Sequence, residues 1–359
     1  MFSRRRGLRG ARWVLLGSVA FASACALPGK PASPAAPSVR PALGEDAWTA
    51  GDRTRLPVTR WRPAGRPHGV VVALHGFAEH RQMFYALAPH LAGAGYLVVA
   101  YDQRGFGETA TRGHWAGRGQ LVDDARTAWQ LLRRRHPDIP VHLLGHSMGA
   151  AVAALAVTGQ GAIEPETTIL LAPGVHGWDT LPWVQAVALR LGAWIAPGAE
   201  PRQSWGRAIA DVRITDDPRI RAIQAGDPLV LHAVRLDALH GVVDLMDAAL
   251  TAAPGLPAST LIQYGERDDI IPRPAGCALA RQLLAAPAPR ARLALYPDGY
   301  HYLARDRQRR RTIGDMLAWL ESPRDALPSG AGLPPSAAAT RLCEPAGQPG
   351  LAPAPTRPR

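Results

Sequence analysis

The chemistry this chain can do is concentrated around Ser147. Residues 141–144 form a short apolar run that enters the turn Gly145-His146-Ser147-Met148-Gly149, and an Ala-rich segment over 150–157 leaves it. Strand, tight turn and helix in that order are what a nucleophile elbow requires. Glycines flank the serine because a Cβ at position 145 or 149 would crowd the neighbouring strand and helix. The turn lifts the Ser147 hydroxyl above the sheet. It also sets the backbone N–H of Met148 beside that hydroxyl, at a helix N-terminus, where negative charge develops during acyl transfer. A serine hydroxyl is a weak nucleophile and needs an adjacent base, itself oriented by a third group. Gly265-Glu266-Arg267-Asp268-Asp269 supplies an acid, with Asp268 as the candidate and Asp269 as its main competitor. Gly299-Tyr300-His301 supplies the base, the one histidine of 12 that stands at the right place after the acid. His301 would take the proton from Ser147, and the acid would hold the imidazole in the required tautomer.

Alternating elements must position these groups. Apolar runs at 69–74, 96–101, 167–172, 259–264 and 292–296 read as strands. Residues 82–94, 119–135, 277–285 and 312–320 read as helices, the second with Leu121, Ala125, Ala128, Leu131 and Leu132 on one face. Strands apolar on both faces and separated by helices imply a parallel sheet wrapped by helices, whose function collects at the carboxyl ends of the strands. His75, Asp102, Ser147, Pro173 and Asp268 all follow such ends. The loop after the first of these runs, His75-Gly76-Phe77-Ala78-Glu79-His80, is expected to give the second oxyanion donor, the N–H of Phe77. His75 and Gly76 then serve the turn and a hydrogen bond across it.

Residues 175–254 break the alternation. They hold helical pieces at 181–195, 218–225 and 230–250, and Trp178, Trp183, Trp194 and Trp205 crowd there. An insertion of this length at the active-site edge reads as a helical cap, and Trp178 and Trp183 are expected to bind substrate as part of an acyl pocket.

The ends read differently. Residues 1–24 resemble an export signal, with a basic start and an apolar run too short for a comfortable membrane span. Ala22-Ser23-Ala24-Cys25 resembles a bacterial lipobox with Ala22 where Leu is usual, and this implies lipidation of Cys25 and a cell-envelope protein anchored to a membrane and facing the periplasm. Residues 25–45 read as a Pro/Ala-rich tether and 323–359 as a disordered tail of similar composition. Between them, 46–174 and 255–322 form the core. The three cysteines, Cys25, Cys277 and Cys343, have no metal-ligand spacing and imply no complete disulfide framework; Cys343 reads as incidental. The net charge of +12 is almost all arginine; five cluster in the first dozen residues and the rest are scattered, not interleaved with aromatics, which argues against nucleic-acid binding. No residue pattern calls for a cofactor or a metal.

His-Gly-X-X-Glu-His at 75–80, Asp-X-Arg-Gly-X-Gly at 102–107, Gly-His-Ser-Met-Gly at 145–149, Gly-X-X-Asp at 265–268 and His301 appear in that order. The chain over roughly 56–320 thereby resembles the monoacylglycerol lipase and lysophospholipase group of α/β-hydrolases. The resemblance implies an α/β-hydrolase fold with a cap inserted after the strand ending near Ala172, the triad Ser147, Asp268 and His301, and a small-molecule lipid ester as substrate. It favours Asp268 over Asp269. In the cap only Gly226-Asp227-Pro228-Leu229 carries the likeness, and Ala150 stands where a further Gly is common. A thioesterase or short-chain carboxylesterase is the alternative within enzymes, and a ligand-binding surface lipoprotein the alternative outside them.

Overall fold

Ten strands and nine α-helices lie among the residues that the structure, a computed structural model, describes: 39–201, 212–286 and 291–344. The expected signal, Cys25, most of the tether and residues 345–359 lie outside them. In chain order come β1 (Ala42–Leu43), β2 (Ala47–Thr49), β3 (Arg55–Trp61), β4 (Gly69–Leu74), α1 (Ala88–Gly93), β5 (Tyr96–Tyr101), α2 (Arg118–Arg135), β6 (Val141–His146), α3 (Met148–Ala156) and β7 (Thr168–Leu171). Then follow α4 (Trp183–Ile195), α5 (Pro218–Gly226), α6 (Leu236–Ala252), β8 (Thr260–Gly265), α7 (Arg273–Leu284), β9 (Arg292–Tyr296), α8 (Arg309–Glu321), β10 (Gly332–Leu333) and α9 (Pro335–Cys343).

The sheet order is β1-β2-β3-β5-β4-β6-β7-β8-β9-β10. From β5 through β9 the strands pair in parallel, and the outer pairs are antiparallel. The continuous apolar runs follow from burial of both faces. In β4, Val70, Val72 and Leu74 join the core under α2, α3, α6 and α7, while Val71 and Ala73 join the core under α1 and α8. All five apolar residues expected on one face of α2 are buried.

Three elements differ from expectation. Strand β3 carries Pro57, which has no N–H to give to a ladder. Its carbonyl still joins the sheet, accepting from the N–H of Asp102, 2.9 Å away. Helix α6 lies in the span assigned to the cap, yet Val242, Leu245, Ala249 and Leu250 share the buried cluster of α3. The cap proper is therefore α4, α5 and their connections, with α6 part of the core layer.

The third difference is the tail. Residues 323–344 are folded: β10 pairs antiparallel with β9, and α9 buries Ala338, Ala339 and Leu342. A run of alanines behind two prolines is a good helix once Pro335 occupies its first turn, and composition alone hides that apolar face. Cys343, at its end, is bonded to Cys277 across 66 residues, so it is neither incidental nor free. In the chain-entropy model, closing a loop of that length stabilises the fold by about 4 kcal/mol.

Candidate active site

Ser147 sits between β6 and α3 with φ 52° and ψ −116°, a left-handed conformation costly for a residue with a side chain. Its neighbours impose it. A Cβ at Gly145 would stand 2.3 Å from the carbonyl oxygen of Gly149, and one at Gly149 2.2 Å from that of Leu74. The Ser147 N–H donates to the Leu171 carbonyl at 3.0 Å, and its own carbonyl accepts from Ala150, Ala151 and Gly174. The turn is thus locked by backbone alone, which leaves the hydroxyl available.

The structure brings the three expected polar groups together. His301 Nε2 lies 2.9 Å from Ser147 Oγ, and His301 Nδ1 lies 2.8 Å from Asp268 Oδ2. A carboxylate only accepts, so Nδ1–H donates to Asp268 and Nε2 is left to accept the serine proton. The other oxygen, Asp268 Oδ1, accepts from the N–H groups of Ile270 and Ile271 at 2.9 and 2.8 Å. Asp269 points elsewhere: its Oδ2 accepts from the N–H of Arg213, ahead of α5. The acid and base loops are laced together, Glu266 N–H to Tyr296 and Arg267 N–H to Gly299. Beneath the base loop, buried Asp306 accepts from the N–H of Tyr300 at 2.8 Å, and burial pushes its carboxyl up to about 6.

The loop after β4 closes over this centre. His75 Nε2 accepts from the N–H of Gln103, its Nδ1–H donates to the Gly76 carbonyl, and the Gln103 amide donates to the His75 carbonyl. Gly76 is tight against the elbow: a Cβ there would come 3.4 Å from Ser147 Cβ and 2.6 Å from Glu79 Oε2. Phe77 follows it, its ring against Phe106. Met148 opens α3, so its N–H is among those a helix leaves without an intrahelical partner.

Sequence reading assigned no role to a buried cluster behind the nucleophile. Glu79 pairs with Arg305 at 2.5 Å and lies 3.3 Å from His146 Nδ1, while His146 Nε2 meets the His301 carbonyl at 3.1 Å. Burial works against the Glu79 carboxylate, but the Arg305 guanidinium holds it well below the usual carboxylate range. Burial pushes the His146 imidazole down, against the pull of Glu79; its Nε2–H donates to the His301 carbonyl and so ties the ring to the base loop. Glu79 and Arg305 stand 226 residues apart, and only the positions of Glu79 and His146 inside two motifs marked them. Neighbouring His80 meets Asp227 of the cap at 2.8 Å, and Leu231 N–H donates to the Ala78 carbonyl. A cavity of about 280 Å³ opens there, lined by Glu79, His80, Met83, Ile220, Ile223 and Arg305.

The two tryptophans expected to bind substrate are placed differently. Trp178 Nε1–H donates to Asp244 at 2.7 Å, and Arg190 stacks 4.1 Å over its ring, so it ties α4 to α6. Trp183 stands in solvent, 77% exposed, with Trp194 (73%) and Ile195 (70%) on the same helix.

A family model described as "Serine aminopeptidase, S33" matches residues 65–308. A monoacylglycerol lipase of Mycolicibacterium smegmatis is 32% identical over 73% of this chain and 91% of its own. A monoglyceride lipase of Mus musculus is 26% identical over 77% of this chain and 89% of its own. Among solved structures, a soluble variant of monoglyceride lipase from Saccharomyces cerevisiae, in complex with a substrate analog, superposes with a TM-score of 0.62. It is 20% identical and covers 82% of this chain and 97% of its own.

Proposed function

The chain belongs to the serine aminopeptidase S33 family of α/β-hydrolases, and from that premise we propose that it is a serine hydrolase cleaving lipid esters of monoacylglycerol or lysophospholipid type. The observation that carries the reading is the run Asp268–His301–Ser147, two contacts of 2.8 and 2.9 Å in a buried setting. His301 Nε2 takes the hydroxyl proton as Ser147 Oγ attacks the acyl carbon. The alcohol departs with that proton, leaving an ester on Ser147. Water, deprotonated by the same nitrogen, then releases the acid. The N–H groups of Phe77 and Met148 hold the oxyanion, and each such donor contributes on the order of 3 kcal/mol to the transition state.

A lipid substrate is supported by the names of the relatives and by the cap. The apolar, exposed side of α4, with Trp183, Trp194 and Ile195, suits substrate delivered from a lipid surface. The cavity beside Glu79, apolar on Ile220 and Ile223 and charged on Glu79 and Arg305, suits an alcohol bearing free hydroxyls.

A panel of p-nitrophenyl esters and monoacylglycerols of graded chain length tests the substrate class. Each buried acyl CH₂ is worth about 0.8 kcal/mol, and discrimination per methylene in a pocket is roughly 1–3 kcal/mol, so preference is graded rather than absolute. Shortening the cap across α4 lowers kcat/KM for long acyl esters and largely spares acetate and butyrate. Equal losses on all lengths would assign this segment to the fold alone, and a best substrate that is a thioester would favour the thioesterase reading.

We further propose that the chain is exported and held in the cell envelope through a lipidated Cys25. The Cys277–Cys343 bond supports export, since disulfides persist in oxidising compartments. Cys25→Ala is expected to move the protein from the membrane fraction to the soluble one. Wild-type protein already soluble, with an unmodified N-terminus by mass, would overturn the anchor.

A further inference from the structure

The loop that carries Asp268 is gripped at both ends by the last turn of α9. On the side of β8, Arg341 Nη2 pairs with Glu266 Oε1 at 2.6 Å. On the side of α7, Arg273 Nε–H donates to the Leu342 carbonyl at 3.0 Å, and its Nη2–H to the carbonyls of Glu344, at 2.9 Å, and Arg341. A cation on the free carbonyls of a helix C-terminus is favourable, so Arg273 and α9 stabilise each other. Arg273 lies two positions beyond Ile271, whose N–H holds Asp268 Oδ1. Glu266 lies two positions before Asp268, and its N–H binds the Tyr296 carbonyl. The chain is close-packed there: a Cβ at Gly265 would meet the Gly299 carbonyl oxygen at 2.4 Å. The last residue of α9, Cys343, is bonded to Cys277 on α7.

Resting on the triad proposed above, we propose that α9 is a clamp on the acid loop, with Arg341 and Arg273 as positioning residues for Asp268. The clamp, and with it turnover, depends on the Cys277–Cys343 bond. A dithiol reductant opens it by attack on a cystine sulfur. Two electrons and two protons pass to the cysteines, two thiols form, and the reductant closes to its own disulfide. The half-buried Cys343 is the more accessible of the pair. Without the bond, the contacts that hold α9 among the described residues are the packing of Ala338, Ala339 and Leu342, two arginines on the rim and the pairing of β10 with β9 just before it.

Arg341→Ala in the full chain, with the disulfide intact, tests the clamp without disturbing the core. A small displacement of an orienting group far from the bond being broken is expensive, so kcat is expected to fall about threefold to tenfold while KM stays within about twofold. Arg341→Lys, which can still pair with Glu266, restores most of it. Titration with a dithiol, below the temperature at which the fold melts, lowers kcat in step with the appearance of two thiols. Wild-type kcat in Arg341→Ala, or undiminished kcat in fully reduced, folded protein, would overturn the clamp. Those failures are distinct from failure of the underlying reading, which would show as ester turnover retained by Ser147→Ala.

Discussion

Replacing Ser147 with alanine is expected to lower kcat for ester hydrolysis by roughly five to six orders of magnitude, the scale on which loss of a triad nucleophile is felt. The fold should be unaffected. The contacts that lock the elbow, Ser147 N–H to Leu171 and the Ser147 carbonyl to Ala150, Ala151 and Gly174, belong to the backbone, and alanine keeps the Cβ. Circular dichroism and melting temperature close to wild type, with turnover reduced to background, is the pattern expected. Substantial turnover in this variant would show that another group attacks the ester.

The second large effect separates two adjacent carboxylates. Asp268→Asn is expected to lower kcat by about 10⁴, because an amide beside His301 Nδ1 favours the wrong imidazole tautomer. It also replaces an oxygen pair that accepts from Ile270, Ile271 and His301 together. Asp269→Asn keeps an oxygen for the Arg213 N–H and is expected to stay within a few-fold of wild type. The opposite ranking in kcat would place the acid at the wrong residue.

Much of this site was legible because its parts lie at the ends of local patterns. Continuous apolar runs announced β4, β5 and β6, since strands buried on both faces cannot alternate. The glycines around Ser147 announced a turn that only small residues allow; the ends of β8 and β9 pointed to Asp268 or Asp269 and to His301, and the family resemblance favoured Asp268. What was hidden depends on contacts distant in sequence. The Glu79–Arg305 pair spans 226 residues, and nothing in the neighbourhood of Arg305 distinguishes it from other arginines. β3 was concealed by Pro57, which has no N–H to give to a ladder and so weakens a strand signal. Three cysteines do not reveal which two meet, and a tail rich in Pro and Ala reads as unfolded until Leu342 and Cys343 are seen against α7. Apolar bulk in a cap does not reveal from sequence whether it faces inward or outward: Trp178 lies between α4 and α6, while Trp183 is in the open.

The most direct test of the account is the residue that a fluorophosphonate modifies. The reagent phosphonylates only a serine whose hydroxyl is activated by a neighbouring base, and the N–H groups of Phe77 and Met148 should hold its phosphoryl oxygen as they would an ester oxyanion. Treating the full chain and mapping the adduct by peptide mass spectrometry is predicted to place a single modification on Ser147. A monoacylglycerol should slow labelling, and Ser147→Ala should abolish it. Ester hydrolysis that continues unchanged in fully treated protein, or an adduct found on a different residue, would contradict the assignment.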